Sequence, residues 1–551
     1  MPIQPTYPGV YIKEIPSGVR TITGVSTSIS AFIGRALRGP VNEPITINSY
    51  GDFERIFGGL WLNSTLGYAI RDFYLNGGSQ AIIVRLIHSE PKPAEGEAPA
   101  QPEATAKKAQ LNVRGLNLEA ANEGSWGNAL RVRIDKVETS IISDADTRKL
   151  FNITVLDNNT GQLEIFRNVS VLQNDLRQVD KVLLNESNLV RFRDEPLPTD
   201  RPSPHPQPTS NKKWWDDNDN DDKDKDASTK AEGNKENSGA DGGDLDVNDF
   251  TGSNKEANKE GLYALNKADL FNILCIPPYK ENHNIDYDSL VDSAAEFCQT
   301  RRAFFIIDPP IEWTDKDKAK DGIQSKNGVQ SIGEPTSYAA VFYPRIKQPN
   351  PLLKNQIEEF VPCGAIAGVF ARTDVQRGVW KAPAGTEATL TGVPQLSVPL
   401  TDPENGELNP LGINCLRTLP AFGRVIWGSR TRKGDDRLTD EWKYIPVRRF
   451  ALFLEESLYR GTQWVVFEPN DEPLWAQIRL NLGAFMHTLF LQGAFQGTKA
   501  EDAYFVKCDK ETTIQNDINL GIVNIIVGFA PLKPAEFVIL KIQQIAGQIA
   551  V

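Results

Sequence analysis

A run of small residues in the middle of the chain constrains its fold more than any other segment. The run extends from Val361 to Gly385, VPCGAIAGVFARTDVQRGVWKAPAG. Pro362 suits the first turn of a helix, because an N–H at that position would have no partner within the helix. Small residues then recur three or four positions apart and share one helix face: Gly364, Ala367, Gly368 and Ala371. We therefore predict a helix whose small-residue face packs directly against another backbone.

Strand and helix patterns alternate on the N-terminal side of this helix. Ser28 to Gly34 and Ala81 to Ile87 are continuous apolar runs, typical of buried strands, and Leu66 to Leu75 between them has helical spacing. Further along, LFNILCIPP and AFFIIDPP flank an amphipathic helix, Leu290 to Arg302, and YAAVFYP predicts a third strand. Parallel strands are usually joined by such a helix. The fold class is therefore α/β, or α+β overall, with a core interrupted by an insertion.

Changes in composition predict where the domains begin and end. We predict an N-terminal arm at 1–20, a discontinuous α/β core at 21–90 and 261–372, a linker at 91–109, a β-rich insertion at 110–195, an acidic flexible linker at 196–260, a C-terminal α/β assembly domain at 373–535 and a C-terminal strand arm at 536–551. Within the C-terminal domain, Pro446 to Tyr459 and Glu472 to Gln492 have helical patterns, whereas TQWVVFEP, AYFVKCD and IVNIIVGFAP predict strands.

The acidic linker has too little apolar surface to offset the entropy of ordering it. The chain has a net charge of −12 and a pI near 5.1, which argues against a surface that wraps nucleic acid. Between Asn211 and Glu260 there are 15 Asp and Glu against 8 Lys, a net of −7. Asp217, Asp219 and Asp221 alternate, but Asp222 and Ser228 stand where a calcium-binding EF-hand loop needs Gly and Glu. We expect a solvated loop there, and expect that removing Pro202 to Gly252 would remove no core contacts.

The sequence offers no catalytic, cofactor or metal site. The four histidines occur singly, and His487 lies in an apolar helical stretch where a core position is expected. Asp308 ends a predicted parallel strand, but no Gly-rich phosphate motif follows it, so a turn or helix-cap role is favoured over ligand binding. The five cysteines are far apart, and neither a secretion signal nor an apolar run of about 18 residues is present, so we expect assembly in the cytoplasm.

Several long segments resemble, in the same order, the contractile tail sheath proteins of phages and phage-derived injection systems. The central one is AGVFARTDVQRGVWKAPA, which is nearly identical to the family signature. The others are PGVYIKEI, FIGRALRGP, NSYGDFERIFGG, FYLNGGSQAIIVRL, GSWGNALRVRI, LNPLGINCLRTLPAFGRVIWGSRT, YIPVRRFALFLEESLYRGTQWVVFEPND and APLKPAEFVILKI. Together they span most of the chain outside the insertions.

This resemblance implies a structural protein that turns over no substrate and needs no cofactor. Family members stack as six-subunit rings around an inner tube, with the C-terminal domain facing the tube, and contract from a metastable extended state to drive the tube through a target envelope. The implied partners are other copies of the chain, the inner tube protein, and baseplate and terminal cap proteins; neither nucleic acid contact nor membrane insertion is implied. The chain would be part of a phage tail or a tail-like particle.

Both termini have strand-like segments whose edges would be unpaired in a monomer, and donating them to a neighbour's sheet would satisfy those edges. In the family such arms link the subunits. The matching residues here are Val10, Tyr11, Ile12 and Ile15 in the first arm, and Phe537, Val538, Ile539, Leu540 and Ile542 in the second.

Basic residues in the C-terminal region allow two interpretations. Arg448 and Arg449 begin a predicted helix, and Arg430, Arg432 and Lys433 cluster before it. Either they form fixed salt bridges within the subunit, or they dock on another subunit or on the inner tube. For the whole chain, the alternatives to a contractile sheath are an α/β enzyme whose β-rich insertion forms a lid, and a non-contractile baseplate or surface component.

Overall fold

The computed structural model describes residues 20–88, 105–137, 150–193, 196–207, 214–215, 227–231, 237–278, 284–285, 289–325 and 331–541. The N-terminal arm residues Val10, Tyr11, Ile12 and Ile15 therefore lie outside the described residues, as do Ile542 and the run Asp217 to Asp222. In the described part of the chain, no helix combines the length and apolar composition needed to cross a membrane.

The first described segment forms a strand-helix-strand unit, as predicted. Its elements are β1 (Ser30–Gly34), β2 (Ile45–Ile47), α1 (Tyr50–Phe57), α2 (Leu66–Leu75) and β3 (Ala81–Arg85). Ser49 caps helix α1: its side chain accepts a hydrogen bond from the Asp52 N–H and so satisfies one of the unpaired N–H groups of the first turn. The predicted helix α2 is confirmed with the same bounds.

The insertion that follows is β-rich, as predicted. Its elements are β4 (Gln110–Val113), β5 (Leu116–Ala120), β6 (Leu130–Lys136), β7 (Leu150–Asp157), β8 (Leu163–Ser170), α3 (Val179–Glu186), β9 (Val190–Phe192) and β10 (Thr229–Lys230). They form a four-stranded sheet, β10-β6-β7-β8, and a three-stranded sheet, β4-β5-β9. Both sheets contribute to one apolar core that also contains Trp126.

The chain then returns to the core domain. The elements of this part are α4 (Val247–Thr251), α5 (Lys255–Asn258), β11 (Ile273–Cys275), α6 (Leu290–Thr300), β12 (Phe304–Ile307), α7 (Lys316–Gln324), β13 (Ala339–Tyr343), β14 (Ile346–Asn350), β15 (Gln356–Phe360), α8 (Cys363–Arg377), β16 (Gln395–Leu396), α9 (Asp402–Leu408), β17 (Ile413–Leu419) and β18 (Gly423–Ile426). Strands β14, β15 and β16 form a small separate sheet.

The core is one eight-stranded sheet built from distant parts of the chain. Its order is β18-β17-β13-β12-β11-β1-β3-β2, parallel except at the two edge strands, β18 and β2. Ser30 of β1 lies between Ala81 of β3 and Ile273 of β11, so the predicted discontinuous core is confirmed. The predicted boundary at 372 is wrong, because β17 pairs in parallel with β13 and therefore belongs to the core sheet.

Helix α8 packs against α2 through the small-residue face predicted for it. A Cβ atom on Gly364 would overlap the backbone carbonyl of Ala69, and one on Gly368 would clash with the carbonyl oxygen of Phe73. The first N–H of α8, that of Cys363, donates to the Asp308 carboxylate at 2.9 Å. Asp308 is thus a cap for a helix distant in sequence, and its burial raises the pKa of the carboxyl to about 7.

The described parts of the acidic linker are packed, so the prediction of a flexible segment is wrong for them. Leu245 and Phe250 lie in the apolar core on one side of the main sheet. His205 is buried, accepts a hydrogen bond at Nδ1 from the Ile134 N–H and contacts the Thr229 hydroxyl through Nε2; burial lowers its pKa to about 4. Removing Pro202 to Gly252 would therefore remove core contacts. Charge dominates the sequence pattern there, yet the apolar side chains of Ala227, Leu245 and Phe250 are buried.

The C-terminal region is a mainly helical unit that also packs against the core domain. It contains α10 (Ile445–Thr462), α11 (Glu472–Leu491), α12 (Ala500–Ala503), β19 (Tyr504–Lys507), α13 (Gln515–Asn519) and β20 (Ile526–Phe529). The two long helices and both late strands are confirmed. The predicted strand TQWVVFEP is wrong: its residues form the end of α10, a 3-10 turn at Gln463–Val465 and a loop, because a short apolar run does not distinguish strand from helix.

Candidate assembly surfaces

The C-terminal segment exposes a continuous run of large apolar side chains. Phe537, Val538, Ile539 and Leu540 are 74%, 79%, 81% and 82% exposed. The described residues from 532 to 541 belong to no helix or strand. Single exposed apolar residues are ordinary on a protein surface, whereas four in succession indicate a surface that a partner covers. The described part of the predicted arm therefore leaves its own apolar side chains exposed to solvent.

Glu536 anchors this segment where it leaves the fold. Its carboxylate accepts hydrogen bonds from Arg430 Nε at 2.7 Å and Arg430 Nη2 at 2.8 Å, and also from Tyr444 and Asn409. Burial alone would raise the pKa of Glu536, but the hydrogen bonds and the charge of Arg430 lower it overall. Bidentate pairing of a fully buried arginine fixes the start of the apolar run. Nothing periodic in the sequence connects Arg430 to a glutamate 106 residues away.

Strands β19 and β20 form an antiparallel pair with no third strand among the described residues. Val506 lies opposite Val527, and Tyr504 lies opposite Phe529. A two-stranded sheet is marginal by itself, and its outer edges present unpaired backbone groups. Large side chains on both strands stay accessible, since Phe505 and Ile526 are each 48% exposed. This pair is the candidate acceptor for an added strand.

An apolar groove of about 330 Å³ lies beside β20, between α10 and α11. Strand β20 and the residue before it contribute alternate side chains, Ile525, Val527 and Phe529, to its lining. The helices contribute Leu454, Leu458 and Leu482. Because alternate residues of a strand point to the same side, the groove could receive every second side chain of a strand added next to β20.

Arg448 and Arg449, the residues predicted as possible tube contacts, point into the subunit and are buried there. Arg449 pairs with the buried Asp374 at 2.6 Å and lies over the ring of Phe370. Arg448 is equally buried. Its guanidinium donates to the Tyr338 hydroxyl at 2.8 Å and lies over the ring of Tyr338. Both side chains thus make the contacts within the subunit that the alternative interpretation expects.

Arg432, the five cysteines and His487 are other residues that the sequence analysis considered. Arg432 is buried and donates to the Gly333 carbonyl, and burial lowers its pKa to about 10. All five cysteines are unpaired and buried, which raises the pKa of Cys415 to about 12 and makes it unreactive. His487 is exposed, so its predicted core position is wrong; it lies on the outer face of α11.

One group of side chains with metal-ligand chemistry occurs among the described residues. His88, Asp246 and Asp249 have ligand atoms within 4.8 Å of one another. Both carboxylates already accept backbone hydrogen bonds that cap helix α4, and Asp249 also pairs with His88 at 2.9 Å. Helix capping therefore accounts for this group.

Two family models match this chain. The model of the phage tail sheath protein central domain matches residues 253–432, and that of the phage tail sheath C-terminal domain matches residues 438–545. Together they span just over half of the chain. The first match ends next to the last strand of the main sheet, and the second begins close to α10.

Individual sheath proteins are also similar to the chain. A prophage major tail sheath protein of Pseudomonas aeruginosa (strain UCBPP-PA14) is 26% identical over 172 residues, which span 31% of this chain and 42% of that protein. A sheath complex of an extracellular contractile injection system, in its contracted state, has a TM-score of 0.55 at 21% identity and is covered over 98% of both chains. A sheath tail protein from Listeria innocua has a TM-score of 0.57 at 12% identity, covering 93% of this chain and 96% of that one. These two structures have the same fold.

Proposed function

Since this chain belongs to the phage tail sheath protein family, we propose that it polymerises as stacked six-subunit rings around an inner tube and contracts to drive that tube through a target envelope. The family is one of structural proteins, and the chain is a structural subunit rather than an enzyme. Its place is in a phage tail or a tail-like particle. Assembly in the cytoplasm, with baseplate and cap proteins at the two ends, is part of the proposal.

The observation that best supports polymerisation is the exposed run Phe537 to Leu540. Burying one large apolar side chain is worth about 1.5–3 kcal/mol, so covering four would contribute on the order of 6 kcal/mol before the entropic cost of ordering the segment. No other part of the described chain covers the run. We propose that a neighbouring subunit does so.

The acceptor in this proposal is the β19–β20 pair of the neighbour. Adding the segment as a third strand would satisfy the backbone groups of one edge, and alternate side chains would enter the groove lined by Ile525, Val527 and Phe529. The N-terminal arm, with Val10, Tyr11, Ile12 and Ile15, would pair with a sheet in the same manner. Ile542 would continue the C-terminal strand.

Linkage through arms suits a sheath that changes its length. Helix α10 contributes to the cores of both the main domain and the C-terminal unit, so each subunit can rotate as one body while its arm remains paired with a neighbour. Contraction would proceed from a metastable extended packing to one of lower energy. Because Arg448 and Arg449 are buried, tube contacts in this proposal come from other residues of the C-terminal unit.

Electron microscopy of the purified chain tests the proposal. A sheath subunit should form hollow, ringed tubes of uniform diameter, either alone or when mixed with the tube protein. Discrete rings or small particles that never lengthen would favour the non-contractile baseplate component. Tubes of one fixed length and width, under conditions that trigger contraction of such particles, would contradict the contractile part of the proposal.

A further inference from the structure

An aromatic side chain projects fully into solvent from the loop between α10 and α11. Phe467 is 103% exposed, and its neighbour Val466 is 63% exposed. The backbone of Phe467 has a φ of 69°, in the left-handed region that residues with a bulky side chain rarely adopt. Unfavourable backbone geometry at an exposed position persists only where the surroundings enforce it, and it often marks a functional site.

The surroundings of Phe467 do fix the loop. The guanidinium of Arg20 lies 4.4 Å from the ring of Trp464, on one side of the loop. On the other side, Asn470 accepts a hydrogen bond from Trp475 Nε1 at 2.9 Å and donates to the Ile522 carbonyl at 3.0 Å. Phe467 is therefore held outward by a fixed loop. We call Val466 and Phe467 the knob.

A cavity of about 980 Å³ lies at the base of the C-terminal segment. Its apolar walls include Trp380 and Trp427. Two buried polar atoms of residues that line it, Ser429 Oγ and Asn405 Oδ1, have no hydrogen-bond partner among the described residues. The cavity thus combines aromatic walls with unpaired polar groups, as ligand-binding and docking pockets do.

The charges around the knob and around the cavity are complementary. Three carboxylates follow the knob: Glu468 and Glu472, which form surface ion pairs with Arg20 and Arg479, and Asp471, which caps α11. Basic residues line the cavity at Arg377, Lys381 and Lys533. Arg377 pairs with the exposed Glu387, a surface ion pair that a competing carboxylate can replace.

The cavity also contains two carboxylates, each held in an ion pair of its own. Asp402 pairs with Arg417 at 2.8 Å and Glu536 pairs with Arg430. The cavity therefore favours an acidic partner.

A subunit cannot fill its own cavity with its own knob. Tyr444, which lines the cavity, directly precedes α10, whereas the knob follows the other end of that helix. Eighteen helical residues separate the two by about 27 Å. We propose that the knob of one subunit inserts into this cavity on a second copy of the chain.

This contact is head-to-tail, because knob and cavity are different surfaces of one molecule. Such contacts repeat along a helical polymer or close into a ring. The proposal rests on the proposed function, since it assigns one contact of the sheath lattice. It also adds a contact that does not use the arms.

Replacing Phe467 by glycine tests the role of the knob. Glycine adopts a positive φ without strain, so we expect Phe467→Gly to unfold at the same temperature as the wild type or higher, while tube formation falls at least tenfold. Phe422→Ala is the control: Phe422 is 51% exposed at a turn of the main sheet and should be dispensable. Wild-type tubes from a folded Phe467→Gly protein would overturn the proposal.

A disulfide crosslink tests the position of the contact. Phe467→Cys combined with Ala382→Cys, a residue that lines the cavity, should give a ladder of crosslinked multimers when assembled protein is oxidised, and neither single variant should do so. The five native cysteines are buried and add no background. Tubes without a ladder would place the knob elsewhere.

The two proposals fail in distinguishable ways. Loss of tubes on removal of the C-terminal segment, together with normal tubes from Phe467→Gly, would retain the arm mechanism and reject the knob. A wild-type chain that never polymerises would reject both.

Discussion

Gly364 fixes how closely two helices approach in the core of the subunit. A methyl group there would overlap the backbone of α2 at Ala69, so neither helix can keep its position. We predict that Gly364→Ala destabilises the subunit by at least about 2 kcal/mol, measured by chemical unfolding. Gly483→Ala is the matched control: its Cβ would meet nothing within 4 Å, and removing a helical glycine should add about 0.5–1 kcal/mol. Equal effects of the two changes would contradict this packing.

Asp308 makes stability depend on pH near neutrality. Its folded pKa of about 7 lies above the unfolded value of about 3.9, so the folded state binds more protons between them and loses stability as pH rises through 7. From pH 6 to pH 8 this one group should cost about 1.4 kcal/mol. In Asp308→Asn, whose side-chain oxygen can still cap Cys363, that loss should disappear. Unfolding titrations of both proteins at the two pH values measure it, and equal losses would contradict the assignment.

Residue roles were predictable where spacing in the sequence determines them. The small-residue stripe predicted a close backbone contact, and the position of Asp308 after a strand predicted a cap. Exposure was harder to predict: His487 was expected in the core and lies outside, because an apolar helix does not show which of its faces a neighbour covers. The anchor between Arg430 and Glu536 depends on two positions far apart in the chain and left no local signal.

Among the elements, the short helix α4 shows that the acidic segment contributes to stability. Phe250 is 6% exposed and packs in the core beside the main sheet. We predict that Phe250→Ala costs about 3 kcal/mol in unfolding free energy, because it leaves a cavity that neighbours fill only partly. Leu352→Ala, at a residue 46% exposed in the core domain, should change stability by less than about 0.5 kcal/mol. A small effect at Phe250 would restore the flexible-linker interpretation for this part.

Regular elements with long patterns were predictable, and short apolar runs were not. Helix α2 and the strands of the main sheet follow the sequence pattern closely. The run TQWVVFEP has strand composition but follows a long helix that continues into it, so tertiary context determined its conformation. In the linker, the two core side chains Leu245 and Phe250 were concealed by the surrounding charge.

At the scale of the whole molecule, the described residues form several packed cores. The main sheet has helices on both faces, the insertion has a core of its own, and α10 contributes to the cores of both the main domain and the C-terminal unit. That a late pair of strands, β17 and β18, would join the sheet begun at β1 was not predictable from composition, since strand order depends on pairing across long separations. The exposed apolar segment Phe537 to Leu540 has no covering partner within the described subunit.

The central claim is that this segment links subunits, and a chain ending at Glu536 tests it most directly. Such a chain keeps the ion pair with Arg430 but lacks Phe537 and everything after it. We predict an unchanged circular dichroism spectrum, a melting temperature within about 2 °C of the wild type, and no tubes by electron microscopy under conditions in which the full chain forms them. Tubes of wild-type length from the shortened chain would contradict the account.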